Sequence, residues 1–246
     1  MKIKVIIILC LFGFSGHKCL FGQQNLFNIP SGDVTPRGKV FFQQQINFYS
    51  HYRFTSKSHF VLGLGGNFEV GVNVVNSYFN FNRRPSFVIS HPFNSREPYP
   101  YYPLLLFTGQ KRVNLSENWF VNAGTQAGFN LYSEVNAKRF THFSYGLLGY
   151  HRAGKFRLIA GPYLTDWRFV GGGNRMGIQA GAEVHLTKKL WFMADHISGS
   201  HKNSVTVAGL VYNVTPRFQL CGGWQLPNPR SAERQAFVLE INLFNF

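Results

Sequence analysis

The feature that most restricts this chain is a two-residue alternation held for longer than the strands of soluble sheets run. From position 119, Trp119, Val121, Ala123, Thr125, Ala127, Phe129 and Leu131 alternate with Phe120, Asn122, Gly124, Gln126, Gly128, Asn130 and Tyr132. From position 175, Met176, Ile178, Ala180, Ala182, Val184 and Leu186 alternate with Arg175, Gly177, Gln179, Gly181, Glu183 and His185. The pattern returns as Phe68, Val70, Val72 and Val74 against Glu69, Gly71 and Asn73. It returns again as Phe218, Leu220, Gly222, Trp224 and Leu226 against Gln219, Cys221, Gly223 and Gln225. Successive side chains of a strand point to opposite faces, so one set lies on each side of a sheet. Helical spacing would mix the two sets. Strands of ordinary sheets run about five or six residues, and these are longer.

Beyond the N-terminal region no run of about 18 apolar residues could cross a bilayer as a helix. Only 14% of the chain is charged, against 45% hydrophobic and 17% aromatic, whereas a soluble domain averages about 25% charged. Strands at about 38 to 52, 58 to 65, 67 to 79, 102 to 113, 118 to 132, 140 to 152, 155 to 168, 174 to 186, 190 to 198, 204 to 214, 217 to 226 and 233 to 246 account for the rest of the pattern. Short turns at Gly65-Gly66, Leu115 to Asn118, Ala153-Gly154, Thr187 to Lys189 and Thr215-Pro216 fall at alternate junctions. Longer links at 80–101, 133–139, 169–173, 199–203 and 227–232 fall at the others. Short turns on one side and long loops on the other are the signature of a transmembrane barrel. In hydrocarbon each unpaired backbone N–H or C=O costs several kcal/mol, and only a closed sheet has no edge. The expected fold is therefore all-β: an antiparallel up-and-down barrel of about 12 strands, with 10 or 14 as alternatives, over residues 37–246. Val34-Thr35-Pro36-Arg37 recurs as Val214-Thr215-Pro216-Arg217, which places both at one membrane edge, and a bulge is expected near Pro162.

Lys2 and Lys4, the apolar run from Val5 to Phe14 and the polar stretch ending at Gly22 have the three regions of a secretory signal peptide, residues 1–22. Its removal leaves a net charge of +12 and Cys221 as the only cysteine. Residues 23–36 are expected to form a periplasmic segment before the first strand.

The chain ends Phe237-Val238-Leu239-Glu240-Ile241-Asn242-Leu243-Phe244-Asn245-Phe246. This resembles the C-terminal targeting strand of bacterial outer-membrane β-barrels, a resemblance to small porin-like barrels with no particular subfamily. It implies an outer-membrane location in a Gram-negative bacterium. It also implies that Phe244 and Phe246 form the assembly signal read by the barrel-assembly machinery. Ile241 stands where that signal usually has glycine.

The inward set of the expected barrel carries Gln43, Gln45, Glu69, Arg157, Arg175, Gln179, Glu183, His185, Gln225 and Glu240 as pore-lining residues. These line an aqueous lumen or pair across it and close it. Twelve basic residues, Arg53, Lys57, Arg175 and Lys202 among them, fall on the outer side. There they would meet lipopolysaccharide phosphates or steer anionic solutes. Basic clusters and motifs for nucleic acid are missing, so nucleic acid is not an expected partner. The loop 80–101 could fold inward or bind a protein partner.

His142-Phe143-Ser144-Tyr145-Gly146 resembles the His-x-Ser-Asn-Gly motif of outer-membrane phospholipase A and is similar to the His-x-Ser of the lipid A deacylase. The resemblance implies a lipid hydrolase with His142 as base and Ser144 as nucleophile, although Tyr145 replaces the Asn. The alternation turns Phe143 and Tyr145 to lipid and His142 and Ser144 to the lumen. His196-Ile197-Ser198 repeats the pattern. The sequence thus points to a narrow passive channel for small, anionic solutes or a non-catalytic envelope component, with no cofactor and no metal. A lipid hydrolase and a subunit of an assembly or secretion complex are the alternatives, and a small solute or a protein the expected partner.

Overall fold

A computed structural model describes residues 25–81, 86–88, 103–131, 140–231 and 233–245. The strands are β1 (Val40–Ser50), β2 (Arg53–Gly65), β3 (Phe68–Asn80), β4 (Ser86–Val88), β5 (Leu104–Asn114), β6 (Trp119–Asn130) and β7 (Phe140–Arg152). After β8 (Phe156–Thr165) comes a four-residue helix, α1 (Trp167–Val170). Then follow β9 (Met176–His185), β10 (Leu190–Ile197), β11 (Val205–Thr215), β12 (Phe218–Pro227) and β13 (Ala236–Phe244). Twelve of these pair antiparallel in chain order, and β13 returns to β1 through pairs such as Gln43↔Asn242 and Ile46↔Leu239. The result is the closed 12-stranded up-and-down barrel expected from the alternation. The three-residue β4 extends the sheet beyond it, against Tyr78 to Asn80.

The outward face has the banding that a bilayer requires. Trp119 and Tyr150 pack at 5.0 Å and Tyr150 and Phe156 at 5.8 Å near the short turns. Phe54 and Phe79 at 4.8 Å, Phe129 and Phe140 at 5.8 Å, and the pair Trp224↔Phe237 ring the long-loop end. Between these girdles Leu148, Leu158, Ile178 and Leu210 are exposed. Aromatic girdles flanking an aliphatic band mark a barrel that sits in lipid.

Three expectations are corrected. β2 begins at Arg53, because the β1–β2 connection is the tight turn at 51–52 rather than a loop reaching to 58. Lys57 therefore lies within a strand and faces the lumen, not the outer surface. The bulge expected at Pro162 is absent: Tyr145↔Tyr163 and Leu148↔Ala160 share one register across it. A bulge falls instead where Val75 and Asn76 oppose Lys57 between the pairs Ser56↔Ser77 and Ser58↔Val74, and Asn76 takes a φ of 62° there. The proposed signal peptide and Phe246 lie outside the described residues, as does most of the loop 80–101.

Leu210 stands at the middle of β11 on the apolar band. Leu210→Arg is expected to lower stability by about 2–4 kcal/mol in a bilayer, the cost of a cation at mid-depth on a lipid face. Denaturant unfolding in liposomes measures this. An unchanged midpoint would show that the band does not face lipid.

Candidate functional site: a filled lumen and an outward His-Ser pair

The segment 25–36 does not lie below the barrel; it runs up inside it. Leu26, Phe27 and Ile29 are 0–1% exposed and belong to one apolar cluster with Leu104, Leu106, Phe120, Met193 and Val207 from the wall. Small residues make room for it. A Cβ added at Gly181 would come within 2.1 Å of Leu26, and one at Gly223 within 2.7 Å of Phe27. Each of the three buried apolar side chains contributes roughly 1.5–3 kcal/mol by leaving water, so the chain has a physical reason to enter.

Charge and hydrogen bonds fix the register of this plug. Asp33 sits between two arginines, 2.8 Å from Arg112 Nη1 and 2.6 Å from Arg157 Nη2. Arg112 also stacks 3.9 Å over the Phe120 ring. The Thr35 N–H donates to Glu69 at 2.6 Å, and the Gln110 amide donates to the same carboxylate at 2.5 Å. Higher in the lumen, Asp195 accepts from the backbone N–H groups of Asn28 and Ile29. Asn25 reaches the Gln43 side chain at 2.6 Å.

The pore-lining set therefore splits. Gln43, Gln45, Glu69, Gln179, Glu183, Gln225 and Glu240 all face inward and are buried. Arg157 faces inward, as does His185, which pairs with Glu183 at 3.1 Å and stacks on Trp191 at 4.0 Å. Arg175 does not belong with them: it is exposed in the link before β9. Phe244 faces inward against Phe41 at 5.2 Å. Sequence reasoning missed the plug and the groups that hold it, Asp33, Arg112 and Asp195. The available signal was Leu26, Phe27 and Ile29, three apolar residues in a segment read as periplasmic.

Above the plug a cavity of about 120 Å³ remains among the described residues. One wall is polar and includes Thr55, Lys57, His59, Asn73, Gln126 and Tyr145. Phe143, Phe169, Ile197 and Val205 form much of the other, and Asn28 of the plug joins the floor. Beside it the loop 198–204 folds inward around His201, which is fully buried. His201 Nδ1 accepts from the Asn203 N–H at 3.1 Å. Its Nε2 meets the Tyr163 hydroxyl at 2.7 Å, and that hydroxyl donates to the Ser198 carbonyl at 2.7 Å. These bonds require a neutral ring carrying its proton on Nε2.

The facing of His142 and Ser144 is the reverse of the expectation. Phe143 and Tyr145 point inward: Phe143 stacks on Tyr163 at 5.3 Å and Tyr145 donates to Gln110 at 2.9 Å. The lumen here is largely an apolar core, so apolar residues mark the inside as readily as the outside. His142 and Ser144 consequently face lipid, with Ser144 Oγ 3.4 Å from His142 Nδ1 and 2.8 Å from Thr125 Oγ1. They lie near the long-loop end of β7. In the second His-x-Ser the two groups are engaged separately. His196 bonds Thr206 at 2.8 Å, and Ser198 Oγ accepts from the Ile178 N–H at 2.8 Å.

Neither a known family model nor a curated protein matches the sequence. Solved structures do. The chain is similar to the NanC porin, with a TM-score of 0.55 and 10% identity over 84% of this chain and 98% of that one. Outer membrane phospholipase A from Escherichia coli gives 0.49 and 12% identity over 87% of this chain and 91% of that one. At such identities the likeness to the porin shows a shared fold, the outer-membrane barrel fold.

Burial holds the His201 pKa down, to about 4 from 6.5. In the unfolded chain the ring protonates below about 6.5 and in the folded protein only near 4, so the unfolded state binds more protons between these values. The stability of the docked loop is full above about pH 6.5 and declines as pH falls toward 4. Protection of the Asn203 and Ser204 amides, relative to their intrinsic exchange at each pH, is expected to fall over this window. His201→Phe should remove the pH dependence; unchanged protection from pH 7 to 4 in the native protein would refute the assignment.

Proposed function

We propose that this protein is an outer-membrane barrel of a Gram-negative bacterium whose N-terminal segment keeps the lumen shut, so that a small solute passes only when the plug is displaced. The observation that carries this reading is the burial of Leu26, Phe27 and Ile29 among wall residues, with Asp33 clamped by Arg112 and Arg157. A filled lumen argues against a pore that stands open at rest. The polar residues expected to line such a pore serve the plug in part: Glu69 and Gln43 bind it directly.

Magnitudes decide which variants should open the barrel. Removing one partner of a buried ion pair costs about 3–5 kcal/mol, comparable to what two of the apolar plug side chains contribute. Asp33→Ala alone should therefore loosen the plug without freeing it. In planar bilayers the native protein is expected to be silent, Asp33→Ala to flicker, and a barrel lacking residues 25–35 to conduct steadily. A folded plug deletion as silent as the native protein would refute the reading, as would steady conductance of the native protein.

A second reading, a lipid hydrolase, rests on one observation: His142 and Ser144 meet at 3.4 Å on the lipid-facing surface. There an acyl ester in the outer leaflet could reach Ser144, with His142 taking its proton. The contact of Thr125 with Ser144 supplies a further hydroxyl at that point. If the pair is catalytic, Ser144→Ala should reduce fatty-acid release from phospholipid or lipid A on the order of 10³-fold or more. Identical lipid products from native and variant protein would remove this reading and leave the plug untouched.

A further inference from the structure

We infer that the cavity above the plug binds a small singly charged carboxylate at Lys57, and that this binding competes with the plug for the lysine. The inference rests on the reading of the N-terminal segment as a displaceable plug and names the ligand class of that same lumen. Lys57 projects inward from β2 into the cavity, where its ammonium group donates to the side-chain oxygen of Asn28 at 2.8 Å. Gln45 shares that oxygen at 3.4 Å. The plug thus holds the one lysine that β2 sends into the lumen by a neutral amide.

The acids around Lys57 act on it through space rather than by contact. Asp195 is occupied by the Asn28 and Ile29 N–H groups, Glu240 by the Asn242 amide at 2.8 Å, and Glu233 by the Arg234 N–H at 2.9 Å. An ammonium group in a partly dry site gains more from an ionised acceptor than from an amide, roughly twice the strength per hydrogen bond. A carboxylate entering the cavity therefore outcompetes Asn28 for Lys57. The same acids limit the charge of the ligand. Asp195 acts on Lys57, and Glu233 on both Lys57 and Lys202, the second lysine of the lining, so little positive charge is left over for a dianion.

The rest of the cavity describes the body of the ligand. Thr55, Asn73, Gln126 and Tyr145 offer hydroxyl and amide groups on one side. Phe143 and Phe169 offer an apolar face on the other side. One water needs roughly 10–15 Å³ of such space, and the 120 Å³ present suits a molecule of about a dozen heavy atoms. A hydroxylated monocarboxylate of sugar size meets these requirements. Its binding takes Lys57 from Asn28 and so removes one of the contacts that hold the plug.

The test is calorimetric titration of the refolded full-length barrel with glucuronate, using glucose as the uncharged ring and sulfate as the dianion. Glucuronate is expected to bind at least tenfold more tightly than either, with affinity falling as salt rises. Lys57→Gln should reduce glucuronate to the level of glucose, and Lys57→Arg should retain the preference. Asn28→Ala, which frees the lysine, should tighten binding about fivefold, the worth of one ordinary hydrogen bond. Equal affinity for glucose and glucuronate, or unchanged glucuronate binding in a folded Lys57→Gln barrel, would overturn the inference. The plug reading stands or falls separately. A plug deletion that conducts while glucuronate fails to bind refutes the site alone. A deletion that stays silent while glucuronate binds refutes the plug alone.

Discussion

Backbone hydrogen bonding in hydrocarbon is the constraint from which the rest of this structure follows. A strand that crosses a bilayer cannot leave its N–H and C=O groups to water, so β13 must find β1, and the pairs from Phe41↔Phe244 to Phe48↔Phe237 are where it does. Closure fixes which residues point in and which point out on all twelve strands, because the side-chain period is two. It also encloses a space that the chain must fill, wet or dry.

This protein fills much of that space with its own residues 25–36. The plug resembles a piece of protein core more than a ligand in a channel: three apolar side chains against an apolar wall, with small residues where they seat. The ionic part is confined to the short-turn end. There Asp33 bridges two arginines that would otherwise repel each other in a low-dielectric lumen. The two devices depend on each other, since the arginines need the plug's carboxylate and the plug's carboxylate needs the arginines. Above them the packing stops and a polar cavity opens, in which Lys57 links the barrel wall to Asn28. The lumen therefore has a packed half and a half with a cavity, divided at Asn28.

The barrel itself was legible because strand alternation and turn spacing are local. The turns at 65–66, 153–154 and 215–216 and the patterns from Trp119 and Met176 needed no partner to be read. Facing was legible only where the two sides differed in polarity. On β6 and β9 the inward set carries Asn122, Gln126, Gln179 and Glu183, and the sides separate cleanly. On β7 the inward set is Phe143, Tyr145 and Leu147, because it packs against Tyr163, Phe169 and the rest of the luminal core. Apolar residues then lie on both faces, and the pattern alone turned His142 and Ser144 the wrong way. Lys57 was misplaced for a related reason. The polar stretch 53–57 reads as loop, yet Ser56 faces outward to Gln44 and Lys57 faces the cavity.

The sequence by itself determined an even-numbered closed barrel in lipid, since alternation, loop lengths and the need to satisfy every backbone group are properties of each strand and its neighbour. The tertiary structure alone decided what occupies the interior. Asp33 meets Arg112 and Arg157 across 79 residues and more of chain, and Leu26 meets Gly181 across more than half of the sequence. No local pattern records such meetings, because the side chains that make them are brought together only when the sheet closes around them.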